Sequence, residues 1–192
     1  MKKVIVIIIF LISFYYTATN ATNKYLSESI HQYSYNLMLK ETVINKFEEV
    51  INLIKLHEGF RSTPYDDCGY LAIGYGQRLA FFTTFKIGNY VTEETADNIL
   101  RISFDNHLKL VDYYFPGLNQ FQRFSVAHMS YSIGLGNVIK YKYLYKEEGC
   151  WKINQHKLYT TRKVDRINSK YRENRIFEYN LFNFKINMHK NG

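Results

Sequence analysis

The stretch from His57 to Gly76, HEGFRSTPYDDCGYLAIGYG, constrains this chain most, because a helical pattern stops there on a carboxylate and a turn-rich, strand-like segment follows at once. Upstream, Val43, Phe47, Val50, Ile51 and Ile54 recur at helical spacing, and Glu58 falls on the same stripe. The spacing predicts a helix that turns Glu58 toward the interior or a cleft wall. Gly59 is placed to terminate it, which leaves Glu58 beside the last carbonyls, at the negative end of the helix dipole. Burial and the dipole both favour the protonated carboxyl. Downstream, Arg61 to Leu79 reads as a small antiparallel sheet, with Gly69, Gly74 and Gly76 at turn and close-approach positions.

A carboxyl held protonated near neutral pH, faced by a second, ionised carboxylate, is the pairing that general-acid cleavage of a glycosidic bond requires. Asp67 is the candidate partner. It follows Pro64 and precedes Gly69, so the chain has room to turn and set it across from Glu58. Spacing alone also fits an exposed helix-end glutamate followed by an ordinary acidic turn at Asp66 and Asp67, acidic turns being common.

The string Glu58-Gly-Phe-Arg with Tyr65, Asp67 and Gly69, followed by Ile73-Gly-Tyr-Gly76, resembles the phage-type (T4-like) lysozymes and endolysins of glycoside hydrolase family 24. The resemblance continues in Val91-Thr-Glu-Glu-Thr-Ala-Asp97 and in Leu118-Asn-Gln-Phe-Gln-Arg-Phe124 with Ile133-Gly-Leu-Gly136. It returns in Asn174-Arg175 with Glu178 and Leu181-Phe182, and so covers about residues 43 to 184. It implies an α+β fold: a mostly helical, two-lobed domain with a small antiparallel sheet beside a sugar-binding cleft. It implies a muramidase acting on the bond between N-acetylmuramic acid and N-acetylglucosamine, with inversion at the anomeric carbon and without cofactor or metal. Glu58 would be the general acid and Asp67 the carboxylate that orients or activates water. Tyr65, Ala72, Gly74 and Ser132 would contact substrate, and Arg172 would face Glu58 and favour its ionised form.

Three departures stand out. Relatives usually place a threonine, whose hydroxyl helps hold the attacking water, where this chain has Ala72. The hairpin between Asp67 and Ile73 is one residue shorter than in many relatives, and Gln77 replaces a histidine often found there. The alternative implied by the first is a non-catalytic protein that binds peptidoglycan through a retained cleft.

Outside the catalytic segment, Lys2-Lys3, the uncharged run Val4 to Tyr16 and the small residues up to Ala21 have the layout of a secretory signal peptide, with cleavage expected after Ala21. The apolar run is short for a membrane span, so no stable anchor is expected after cleavage. Residues 22–40 read as a polar, Tyr- and Ser-rich extension with at most a short helix, 41–184 as the catalytic domain and 185–192 as a tail. The formal charge of +8 falls by two when Lys2 and Lys3 leave, and the remaining excess suits an anionic polymer. No nucleic-acid signature accompanies it. With a secretory signal, the expected partner is bacterial cell-wall peptidoglycan and the expected state a secreted monomer.

Cys68 and Cys150 are compatible with one disulfide and equally with two free thiols, and their spacing has no zinc pattern. Thr92 is placed to cap a helix whose apolar face is Ala96, Ile99, Leu100, Phe104, Leu108 and Val111. A second apolar helix follows Pro116-Gly117, with His128 among its core residues. Trp151 is open to two readings, a core residue or a sugar-stacking platform.

Overall fold

The computed structural model describes residues 2–67, 69–78, 90–160 and 169–185, apart from the side chains of 2–12, 14, 16, 159–160 and 169–171. The chain divides into two units, Met1–Ile44 and Asn45–Gly192. Helix α1 is Lys2–Glu58, a single helix through the segments expected to be a signal and a polar extension. The reason lies in what is missing from the sequence. No glycine or proline occurs from Lys2 to Glu58, so nothing interrupts helix propagation until Gly59, the first glycine of the chain. In the first unit Thr17, Thr19 and Thr22 donate their hydroxyls back to the carbonyls of Ser13, Tyr15 and Ala18 instead of capping a new element. Among the described residues, no helix is long and apolar enough to cross a membrane.

The second unit is α+β and mostly helical. Strands β1 (Arg61–Asp67), β2 (Tyr70–Gly74) and β3 (Gln77–Arg78) form an antiparallel sheet in that order. Helices α2 (Glu93–Tyr114), α3 (Gln120–Ile133) and α4 (Leu135–Lys140) follow. The hairpin β4 (Leu144–Glu147) and β5 (Cys150–Ile153) then leads to α5 (Gln155–Thr160) and α6 (Ser169–Phe182). Val50, Ile51 and Ile54 of α1 are buried, as are Ala96, Leu100, Phe104, Leu108 and Val111 of α2. Phe121, Phe124, Val126, Ala127 and Met129 of α3 complete the core with Leu181 and Phe182 of α6. Helices α2 and α3 start where their caps dictate. Thr92 accepts from the Thr95 amide, and Asn119 forms a capping box with Gln122.

Trp151 is structural here. Its indole N–H donates to the Pro116 carbonyl at 2.9 Å and its ring meets Phe115 edge-on, pinning the β4–β5 hairpin to the turn after α2. Cys150 is an exposed free thiol, while Cys68 and the loop 79–89 lie outside the described residues.

A charge cluster ties the C-terminal part of α1 to α2. Arg101 donates to both oxygens of Glu48 (2.6 and 2.8 Å) and through Nε to Asp97 (2.7 Å), and Lys55 reaches the other Asp97 oxygen at 2.9 Å. The Arg101 bond holds the Glu48 carboxyl below its ordinary value, against partial desolvation. Partial burial raises Asp97, but the bonds from Lys55 and Arg101 outweigh it and the net shift is downward. Depressed carboxylates stabilise the fold above their unfolded-state range and lose that contribution as pH falls through the folded values. An Arg101→Ala variant should therefore melt below the parent at pH 7, with the gap narrowing as pH drops through about 4. A gap independent of pH in thermal melts would contradict this.

Candidate active site

Glu58 is the last residue of α1. Gly59 takes the left-handed conformation (φ 70°), its amide bonds the Lys55 carbonyl at 3.0 Å, and the chain turns directly into β1. The Glu58 side chain is exposed at the helix end. The residue of this turn that is buried is His57, whose Nε2 lies 3.9 Å from Glu173 of α6. The Glu58 carboxylate rests beside Gly76, where a methyl on the Gly76 Cα would lie 3.5 Å from Oε2.

Asp66 and Asp67 divide the work at the end of β1. Asp66 accepts the Gly69 amide at 2.7 Å and closes the turn, and Asp67 beside it is exposed. The register pairs Asp67 with Tyr70, Asp66 with Leu71 and Tyr65 with Ala72. Tyr65 is half-buried with the Arg61 guanidinium 4.1 Å from its ring centre. Burial pushes its phenol up, the Asp67 charge adds to this, Arg61 opposes it and Glu58 adds again. Both candidate carboxylates thus contribute to the field at Tyr65. Ala72, paired with Tyr65 across the sheet, is fully buried.

The β2–β3 turn is held from α3. Tyr131 donates its hydroxyl to the Tyr75 carbonyl at 2.7 Å and accepts from Gln77 Nε2 at 2.9 Å, while Gln77 Oε1 accepts the Tyr75 amide. Burial pushes the Tyr131 phenol up, the charge of Glu58 adds to it and the bond from Gln77 opposes it. Gly74 is packed between this clamp and α2. Its φ is 65°, and a methyl there would fall 2.7 Å from Gln77 Oε1 and 3.0 Å from Ala96 Cβ. Gly74→Ala should cost about 1–2 kcal/mol from the left-handed backbone alone, with more from the displaced Gln77. A parental melting temperature would refute that.

On the far side, Ser132 of α3 is half-buried and accepts from Arg175 at 2.8 Å. The same Arg175 nitrogen donates to Glu178 Oε1 at 2.6 Å, and His128 Nδ1 lies 2.7 Å from that oxygen. Arg175 and Glu178 are completely buried and His128 nearly so, making His128 the satisfied core histidine expected. Arg172 is exposed on α6, and Arg175 of the same helix is buried. Asn174, Arg175, Glu178, Leu181 and Phe182 fall on one helical stripe, and Arg172 falls off it. Among the described residues, no cluster of His, Cys, Asp and Glu is arranged to hold a metal ion.

A helix-end glutamate, a glycine-rich three-stranded hairpin carrying an aspartate, and a helical body behind them are the parts of a lysozyme-like α+β domain. The family model described as phage lysozyme matches residues 55–166, more than half of the chain, and the chain belongs to that family. No curated protein sequence matches it. Among solved structures it is similar to the muramidase domain of SpmX from Asticaccaulis excentricus, at 20% identity over 71% of this chain and 96% of that one, with a TM-score of 0.47. It is also similar to the endolysin of Escherichia coli O157:H7 phage FAHEc1, at 16% identity over 70% and 90% of the chains, TM-score 0.46. A third likeness is to the active form of P1 phage endolysin Lyz, at 14% identity over 68% and 80%, TM-score 0.45.

Proposed function

We propose that this protein is a secreted muramidase that hydrolyses the β-1,4 bond between N-acetylmuramic acid and N-acetylglucosamine in peptidoglycan. Membership of the phage lysozyme family supports the substrate class and the glycosidase chemistry. The observation that carries the assignment of residues is the division of labour at the end of β1. Asp66 closes the turn, and Asp67 stands exposed at the end of β1, paired with Tyr70 across the sheet. In this reading Glu58 gives its proton to the leaving oxygen while Asp67 takes a proton from the attacking water on the opposite face of the sugar. Removal of residues 1–21 would release the enzyme, beginning at Thr22, as a monomer.

The test is digestion of purified peptidoglycan by protein starting at Thr22, with new reducing ends counted and soluble fragments weighed. Fragments ending in muramic acid support the reading. Fragments ending in N-acetylglucosamine would reassign the bond. Sedimentation with the wall without any release would replace the muramidase by a wall-binding protein, the reading that Ala72 favours because its methyl offers water no hydrogen bond.

A further inference from the structure

We propose that the cavity between the β4–β5 hairpin and α6 is a second sugar site, which holds N-acetylmuramic acid of the wall glycan by its ring and its lactyl carboxylate without cleaving it. The choice of a wall sugar rests on the muramidase reading. The chemistry of the cavity does not.

The cavity has a volume of about 440 Å³, inside the range of roughly 300–1,000 Å³ usual for small-molecule sites. Tyr145 and Lys152 line it from the hairpin, where they stand opposite each other in the register and share a face. Asn154 and Gln155 line it at the start of α5, and Tyr179 and Asn183 from the end of α6. None of these residues belongs to β1, β2, β3 or the end of α1, the elements that place Glu58 and Asp67. The walls are set in advance of any ligand. Trp151 anchors the hairpin to the Pro116 carbonyl, and the Asn154 amide bonds the Tyr143 carbonyl at 2.7 Å.

The lining restricts what can bind. It contains no Asp, Glu, His or Cys, so a metal ion would find no anionic or imidazole ligand. Apart from the two phenol rings its one apolar side chain is the buried Ile153, too little for an apolar molecule. A sugar needs an aromatic face for its C–H bonds and, around its edge, groups that both give and accept hydrogen bonds. Both are present. Asn154 Oδ1 is taken by the Lys157 amide at 3.1 Å, which leaves its NH2 to give, and Asn183 gives its NH2 to the Tyr179 carbonyl at 2.8 Å, which leaves its oxygen to accept. Lys152 adds one positive charge, with no carboxylate in the cavity and no ion pair among the described residues. A ligand rich in phosphate calls for several cations, whereas a single carboxylate calls for one. Of the two wall sugars, N-acetylmuramic acid carries that carboxylate, on its lactyl ether, free wherever the strand bears no peptide. Holding a strand at this second point raises the concentration of glycan at the cleft and leaves the chemical step unchanged.

The experiment titrates free N-acetylmuramic acid into the isotope-labelled protein and follows the backbone NMR signals of residues 144–155 and 179–183. N-acetylglucosamine and D-lactate, the sugar without the acid and the acid without the sugar, are titrated alongside. N-acetylmuramic acid should move these signals, and each of the other two should bind roughly tenfold or more weakly. Lys152→Gln should weaken it roughly tenfold, the loss of one charge-assisted hydrogen bond, and Tyr145→Ala roughly fivefold, both melting with the parent. On peptidoglycan, Lys152→Gln should raise KM and hold kcat. Signals that stay still, equal binding of D-lactate or of N-acetylglucosamine, or full affinity in both variants would each overturn the proposal and leave the muramidase reading untouched. A parent that releases no reducing ends while these signals still move would remove the muramidase reading and leave the second site standing.

Discussion

Glu58→Gln is expected to reduce release of reducing ends from peptidoglycan by roughly 10²–10⁴-fold, the range a positioned general acid contributes. Glutamine keeps the shape of the side chain and its place beside Gly76, but has no proton acidic enough to give to a departing sugar oxygen. Because Glu58 is exposed at the end of α1, the substitution should leave stability within about 0.5 kcal/mol of the parent. Catalysis and folding can thus be separated in one variant. Retained affinity for the wall together with lost turnover would mark Glu58 as a group used in the reaction. Turnover within threefold of the parent, at equal melting temperature, would remove Glu58 from the mechanism and move the search for a proton donor elsewhere.

The parts of this protein legible in its sequence are those with local causes. The helix ending at Gly59, the hairpin after it and the capped start of α2 each depend on residues within a few positions of one another. The apolar stripe of α2 is likewise local, and all of these are present. The length of α1 was harder to see because residues 22–40 have weak periodicity. The informative feature there is the lack of any breaker rather than the presence of a pattern. The stripe of Ile54 directs Glu58 toward the interior or a cleft wall; the side chain is exposed beside Gly76, and it is His57 that is buried at this helix end. The clamp of Gln77 on Tyr131 joins residues 54 positions apart and has no local trace at all. Gln77, noted in the sequence only as a missing histidine, is the side chain that holds the turn beside Glu58. Ala72 stands where relatives carry a hydroxyl, and its complete burial follows from packing that the local sequence does not reveal.

The second large effect is expected at Glu178, where stability and the site meet. Its carboxylate is completely buried, and one oxygen lies within 2.7 Å of both His128 Nδ1 and Arg175. Its backbone carbonyl accepts from Ser125, so α6 is fastened to α3 through this residue twice. Glutamine at this position keeps an acceptor oxygen but removes the negative charge that faces a completely buried guanidinium. Taking one partner from a buried ion pair costs about 3–5 kcal/mol, which for a domain of this size lowers the melting temperature by on the order of 10 °C. Arg175→Met alone should cost a similar amount for the converse reason. Arg175→Met with Glu178→Met should cost much less than the sum of Arg175→Met and Glu178→Met made singly, because no buried charge is left to compensate. The comparison separates a true pair from two independently useful residues: coupling near zero in the double-mutant cycle would show that the buried charges are balanced by other groups. Since Arg175 also donates to Ser132, Glu178→Gln assayed well below its melting temperature should disturb the α3 side of the site, while the β1–β2 hairpin keeps its register.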